Sequence, residues 1–363
     1  MVESDGIKVY ESNEINGVDI IIEVEEGRDL KIMQLADLQI WTYHDARTEE
    51  KKQDIYNRFG QYYPEDLGPR VWDFVEEGYE NIEPDIVVMT GDNIYGETDD
   101  NGEDFLAVCN TLDSYKKPWF CVWGNHDNES GMGVRWQIET VQNSKYGFII
   151  QGDVTGNSNY SAMVKQGDEY LQLLYFIDTN GCVIGAEGSG TSMAPDNIDI
   201  DLVAPMGIYD DQIEWMRTSA NAAFEAIGER VPVLVFQHIP PVEAQIALEE
   251  KYPKTYTTYP FYANLEGDKG ISKENNTWAG LVNTDGKYWS ALKEIGCVGV
   301  SMGHYHKSAT SVVYDGIRLT YGLKTGVESY CDPYTLGTTQ ITIFEDRSFD
   351  VKYWLSFLED PRL

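Results

Sequence analysis

The sequence predicts a layered α/β fold on three observations: a length of 363 residues, strand-length apolar runs that recur along the chain, and amphipathic helical stretches between them. That length allows one large domain or two ordinary ones, and a substantial buried core in either case. Hydrophobic residues make up 42% and aromatics 12%, with 24 tyrosines, which is a globular composition and not that of a disordered acidic chain. No internal repeat or linker-like composition divides the chain, so residues 1–363 are read as a single domain.

The N-terminal stretch "DGIKVYESNEINGVDIIIEVE" has turn-separated strand patterns and is expected to form a hairpin on a sheet edge. Six runs follow that are apolar enough for strands buried on both faces: "KIMQLAD", "DIVVMTGD", "PWFCVWGN", "LQLLYFID", "VPVLVFQH" and "VGVSMGH". Helical periodicity appears in "RVWDFVEEGYENI", "DFLAVCNTLDSY", "DDQIEWMRTSANAAFEAI" and "GKYWSALKEIG". The stretches "SVVYDGIRLTYG" and "TTQITIFEDRSFDVKYWL" predict two further hairpins at sheet edges. Residues 180–207, rich in Gly, Ser, Asp and Pro, and residues 249–280, rich in Tyr, Lys and Asn, are expected to be long loops. In layered α/β sheets ligands bind at the carboxyl ends of strands, so the polar turns that close the apolar runs are where chemistry is expected.

Charge excludes some partners. Asp and Glu number 61 against 27 Lys and Arg, a formal −34, and a field of that sign repels nucleic acid and anionic lipid. No nucleic-acid or membrane partner is expected, and most of these carboxylates are read as a solvated surface. The five cysteines show no CxxC spacing, and an odd number cannot pair completely within one chain. No run of about 18 apolar residues is present for a membrane span, and "MVESDGIKVY" lacks a signal peptide's basic and apolar regions. A cytoplasmic location is expected, with secretion as the alternative if a leader has been removed.

Of five histidines, four fall in or beside the strand-end turns: His126 in "GNHD", His238 in "FQHIP", His304 and His306 in "GHYH". A lone histidine is more often a satisfied core or surface residue, but four so placed are harder to dismiss. Asp37 in "LADLQ", Asp92 in "TGDN" and Asn125 in "GNHD" join them as a mixed nitrogen and oxygen set suited to Zn, Mn or Fe. Asp92 and Tyr95, in "GDNIY", also have an ordinary role open to them, since such pairs are common turn formers.

The ordered set, an Asp turn, GD, GNHD, a separate His and GHxH over residues 37–306, resembles the calcineurin-like metallophosphoesterases. The resemblance implies a four-layer sandwich of two mixed sheets flanked by helices, with two metal ions close together. It implies Asp92 as the bridging ligand, Asn125, His238 and His304 on one metal, and Asp37 and His306 on the other. His126 would contact the phosphoryl oxygens or leaving group, and Asp127 would orient His126. The commoner pattern begins DxH, whereas this chain reads Asp37, Leu38, Gln39. The purple acid phosphatase branch also lacks that histidine and supplies GDxxY, whose spacing Asp92 and Tyr95 match. Tyr95 is then expected as a phenolate ligand, with a packing role as its alternative. Phenolate favours Fe(III), paired with Fe(II), Zn(II) or Mn(II); Mn/Mn and Zn/Zn pairs are the alternatives.

The implied activity is hydrolysis of a small phosphorylated substrate by a metal-bound hydroxide, as a phosphomonoesterase of purple-acid-phosphatase type. The alternatives are a phosphodiesterase on the same site and a catalytically silent scaffold for partner binding. His44 and Arg47, in "WTYHDAR", are candidate substrate contacts that also read as surface residues. Lys324 in "YGLKTG" could reach phosphate but reads first as solvent-facing, and Asp178, which ends a strand beside the expected site, reads first as a cap on turn amides.

Overall fold

The computed structural model describes residues 1–40, 71–96, 101–181, 204–253, 261–274, 283, 285–327 and 329–356. His44, Arg47, Cys182, most of the loop between 180 and 207 and the centre of the Tyr-rich loop lie outside the described residues.

The elements run β1 Val2–Ser4, β2 Ile7–Glu11, β3 Ile20–Val24, β4 Leu30–Leu35, α1 Val71–Ile82, β5 Ile86–Thr90, α2 Glu103–Ser114, β6 Trp119–Val122, α3 Gly133–Asn143, β7 Gly147–Phe148, β8 Tyr160–Gln166 and β9 Glu169–Ile177. There follow α4 Asp210–Ile227, β10 Val233–Gln237, α5 Val242–Lys251, β11 Phe261–Tyr262, β12 Lys269–Ser272, α6 Lys287–Glu294, β13 Cys297–Met302, β14 Ser308–Tyr314, β15 Ile317–Tyr321, β16 Gly337–Ile343 and β17 Phe349–Leu355. Two mixed sheets form, an 11-stranded one in the order β1-β2-β3-β8-β9-β10-β13-β15-β14-β12-β11 and a six-stranded one in the order β17-β16-β4-β5-β6-β7.

Strand periodicity divides the core. On β3, β9 and β10, Ile20, Ile22, Leu174, Phe176, Leu234 and Phe236 enter the cluster between the sheets. Their neighbours Ile21, Leu173, Tyr175, Val233 and Val235 face the opposite way, into a second cluster with α4, α5 and α6. Phe120 of the small sheet stacks on Phe176 of the large one at 5.1 Å between centroids, and Phe176 on Phe236 at 5.5 Å, an aromatic column that joins the layers. Helix α4 shows why its sequence is helical: Ile213, Met216, Ala220, Ala223 and Phe224 are buried along one stripe. Asp210 and Asp211 lie in its first turn, and Gly228 ends it at φ 78°. No helix among the described residues is long and apolar enough to cross a membrane.

The six apolar runs are all strands, and the N- and C-terminal hairpins lie at sheet edges as expected. The hairpin β14–β15 is interior instead, because β12 pairs with β14 and β11 with β12. Those two strands fall in the stretch expected to be loop, where their brevity hides any alternation. Strand β8 was also hidden: its Ser161 is buried, with Oγ 3.0 Å from Asp19 Oδ2, so a polar residue breaks the apolar run. In α3, buried Gln137 interrupts the stripe of Val134, Ile138 and Val141 in the same way.

Candidate metal centre

The parallel strands β4, β5 and β6 of the small sheet and β10 and β13 of the large one end beside one another. Each run into its turn delivers polar residues: Asp37 and Gln39 after β4, Asp92 after β5, Asn125 to Asp127 after β6, His238 after β10, His304 and His306 after β13. Asp37, Gln39, Asp92 and His304 adopt φ of 52°, 45°, 52° and 76°, the left-handed region that non-glycine residues rarely occupy. Such backbone persists where surrounding contacts over-determine it, often at functional sites. The strand-end turns approach so closely that a Cβ on Gly124 would stand 2.2 Å from Asp92 Oδ1 in the same sheet, and one on Gly91 2.7 Å from His238 Cβ in the facing sheet. Only glycine fits at these two points.

Two groups of donor atoms result, Asp92 with His238 and His304, and Asp37 with Asp92 and His306; within each group the atoms lie within 4.8 Å of one another. Asp92 belongs to both. Asn125 Oδ1 lies 3.2 Å from His238 Nε2, which brings it to the first group. His238 Nδ1 donates to the Thr90 carbonyl at 2.8 Å and His306 Nδ1 to the Tyr330 carbonyl at 2.9 Å. Each carbonyl thereby fixes a tautomer whose Nε2 lone pair faces the carboxylates, the orientation a metal-ligating histidine needs. His238 Nε2 is 3.3 Å from Asp92 Oδ1, and His306 Nε2 3.4 Å from Asp37 Oδ1. Oxygen and imidazole donors in two groups with a shared carboxylate fit a pair of first-row metal ions.

The electrostatics agree. Burial works to raise the Asp92 pKa, but the charges of His238 and His126 outweigh it and hold the carboxyl well below its usual range. Asp37 is also lowered, against burial, by His306 and His238. Burial opposes the charge on His238, yet Asp92 draws its pKa up to about 9, so Nε2 carries a proton that a bound metal ion would displace to use the lone pair. Burial, then His238, pushes His304 down to about 3, and burial lowers His306. The carboxylates stay ionised and their field calls for positive charge.

His126 lies at the rim, its side chain 16% exposed, with its backbone N–H donating to Asp92 Oδ1 at 2.9 Å. The carboxylate on its Nδ1 is Glu129, at 2.7 Å, and not the expected Asp127. Asp127 instead accepts from the amides of Gly124 at 2.7 Å, Asn93 at 2.9 Å and Ile94 at 3.2 Å, tying the turn after β6 to the turn after β5. Burial and the nearby Asp92 push its carboxyl up to about 7. The one-turn 3-10 helix Asp127–Glu129 decides this exchange of roles, because residue i+3 returns beneath His126. An i,i+3 carboxylate was the available sequence signal.

The Tyr95 ring stacks on His126 at 4.7 Å between centroids. Lys324, expected at the surface, is 1% exposed and donates to the Asp37 carbonyl at 2.5 Å. Asp178 accepts from the amides of Asn157 and Asn180, both at 2.7 Å, the capping role its position suggested. His44 and Arg47 lie outside the described residues.

Two facing mixed sheets thus bring together, at their strand ends, two donor groups that share one carboxylate and could hold a pair of metal ions. The model of the calcineurin-like phosphoesterase family matches residues 30–307, and the chain belongs to that family. Among curated relatives, a phosphatase named DCR2 from Saccharomyces cerevisiae is 30% identical over 127 residues, 34% of this chain and 20% of that protein. A protein named probable inactive purple acid phosphatase 28, from Arabidopsis thaliana, is 28% identical over 185 residues, 47% of this chain and 45% of its own. The chain thus spans less than half the length of these relatives. The crystal structure of a dimetal phosphatase from Danio rerio superposes with a TM-score of 0.51 at 15% identity, covering 91% of this chain and 99% of that one, which shows the shared fold.

Proposed function

We propose that the chain is a dinuclear-metal phosphoesterase, and within that class a phosphomonoesterase of purple-acid-phosphatase type acting on a small phosphorylated substrate. The observation that carries this reading is the sharing of Asp92 between two groups of donor atoms. Asp37, Asp92 and His306 would hold one ion, and Asp92, Asn125, His238 and His304 the other. When bound, the two ions would supply Lewis-acid charge for the phosphoryl oxygens and a water acidic enough to attack near neutral pH.

The chain's own residues complete the chemistry. Glu129 orients the His126 ring through Nδ1, and from the exposed rim His126 would contact a phosphoryl or leaving oxygen. Asp127 keeps the turns after β5 and β6 in register, so that Asp92 and Asn125 converge. The word "inactive" in the name of the Arabidopsis relative belongs to that protein; here both donor groups and His126 are in place.

Tyr95 is proposed as a phenolate ligand of Fe(III), with Fe(II), Zn(II) or Mn(II) as the second ion, on the GDxxY spacing and the Gln at position 39. A second reading rests on one contact: the stacking of Tyr95 on His126 suits a packing role and a Mn or Zn pair. Assay of metal-loaded protein against an aryl phosphate monoester and an aryl phosphate diester tests the function. Monoester turnover abolished by chelation is expected. Diester-only turnover selects the phosphodiesterase, and a fully loaded protein silent on both selects the scaffold.

A further inference from the structure

Gln39 and Lys324 form a buried contact that the proposed chemistry does not use. Gln39 Nε2 donates to Asp92 Oδ2 at 2.9 Å, and Lys324 Nζ lies 3.5 Å from Gln39 Oε1 while donating to the Asp37 carbonyl at 2.5 Å. Both side chains are 1% exposed. We infer that Gln39 and Lys324 are positioning residues, a relay that aims the Asp92 carboxylate at both metal positions; the inference rests on the metal-binding reading above.

Hydrogen-bonding capacity dictates the direction of the relay. An ammonium can only donate, so it must face the oxygen of the Gln39 amide, and the NH2 end is then turned onto Asp92. The ionised carboxylate, an acceptor only, selects the NH2 end as well, so Lys324 and Asp92 impose the same orientation on the amide from its two ends. Asp92 is thereby held from two sides, Oδ1 by the His126 amide at 2.9 Å and Oδ2 by Gln39. Once His238 Nε2, 3.3 Å from Oδ1, turns to a metal ion, one N–H remains on each oxygen and leaves each a lone pair for metal, as a shared ligand requires. The anchor is rigid: Ala36 and Lys324 form a parallel β-bridge, and Thr325 N donates to the Ala36 carbonyl at 2.8 Å.

The test is metal affinity, measured by chelator competition and elemental analysis on the whole chain with Mn(II) and Zn(II), for Gln39→Leu, Lys324→Met and the double variant. Outer-sphere partners of this kind are worth roughly 10- to 100-fold in metal affinity. Gln39→Leu is expected to weaken at least one equivalent by that factor. Lys324→Met should weaken binding more in the wild-type background than in Gln39→Leu, since the direct effect of its charge is common to both backgrounds and cancels in the cycle. Gln39→Asn, which keeps the amide but is one methylene short of spanning both partners, should repeat the loss if the leucine variant does not fold. Unchanged affinity in the Gln39 variants, or equal effects of Lys324→Met in both backgrounds, overturns the relay. So does tighter binding in Lys324→Met alone, which would mean that a released Gln39 acts as a ligand. If the wild type takes up two equivalents and the variants match it, only the relay fails; a wild type that takes up no metal sinks the metal-binding reading and the relay with it.

Discussion

Replacing Glu129 isolates what the structure adds to the His126 site. Its Oε2 meets His126 Nδ1 at 2.7 Å, with the two side chains 5% and 16% exposed, so the contact is short and little screened. A hydrogen bond to a charged group contributes roughly 1.5 to 3 kcal/mol. Taking about 2 kcal/mol, Glu129→Ala should lower kcat about 30-fold, at about 1.4 kcal/mol per tenfold. Glu129→Gln retains an acceptor oxygen and loses only the charge, so a loss of about fivefold is expected. Because neither donor group contains Glu129, both variants should keep the wild-type metal content. Steady-state kinetics on an aryl phosphate, with elemental analysis of the same samples, reads both quantities. A Glu129→Ala enzyme with full kcat would refute the role given to this contact. A drop in kcat that parallels metal loss would show that Glu129 acts on the metal centre and not through His126.

Other outcomes follow from the same geometry. Asp92→Asn removes the charge shared by both donor groups and should leave well under two equivalents of metal by elemental analysis, whereas His126→Ala should keep the metal and lose turnover; intact metal in the first variant contradicts the sharing. If Tyr95 binds Fe(III), oxidised iron-loaded protein should be purple and Tyr95→Phe colourless with its fold kept; a colourless Fe(III)-loaded wild type leaves Tyr95 as a packing residue. Burial pushes Asp178 up from an ordinary 3.8 to about 6, against the Asn157 and Asn180 amides and His238, so the folded state holds this proton more tightly than the unfolded state does. The stability from that proton is present below about pH 4 and is lost as pH rises through about 6. Urea denaturation of metal-stripped protein should therefore show wild type losing stability relative to Asp178→Asn over that window, by about 2 to 3 kcal/mol for a shift of this size; parallel curves would remove Asp178 as the cause.

Where a signal is local, the sequence alone determined the outcome. Strands buried on both faces read as continuous apolar runs, so β5, with all five residues buried, is evident from "IVVMT". Polar residues directly after such runs fall at strand ends, which located Asp37, Asp92, Asn125, His126, His238, His304 and His306 before any distance was known. What the sequence left open depends on contacts between distant segments. Glu129 replaced Asp127 on His126 because a 3-10 turn brings residue i+3 back, and Asp127 is occupied by the amides of Asn93 and Ile94, more than 30 positions earlier. Lys324 looked like a surface residue in a glycine-rich turn. Strand register alone places it beside Ala36, where its ammonium reaches the Asp37 carbonyl 287 positions away. Periodicity reports which face of a strand is buried, whereas the hydrogen-bond partner of a buried polar group is set by the strand packed beside it, and no local pattern encodes that neighbour.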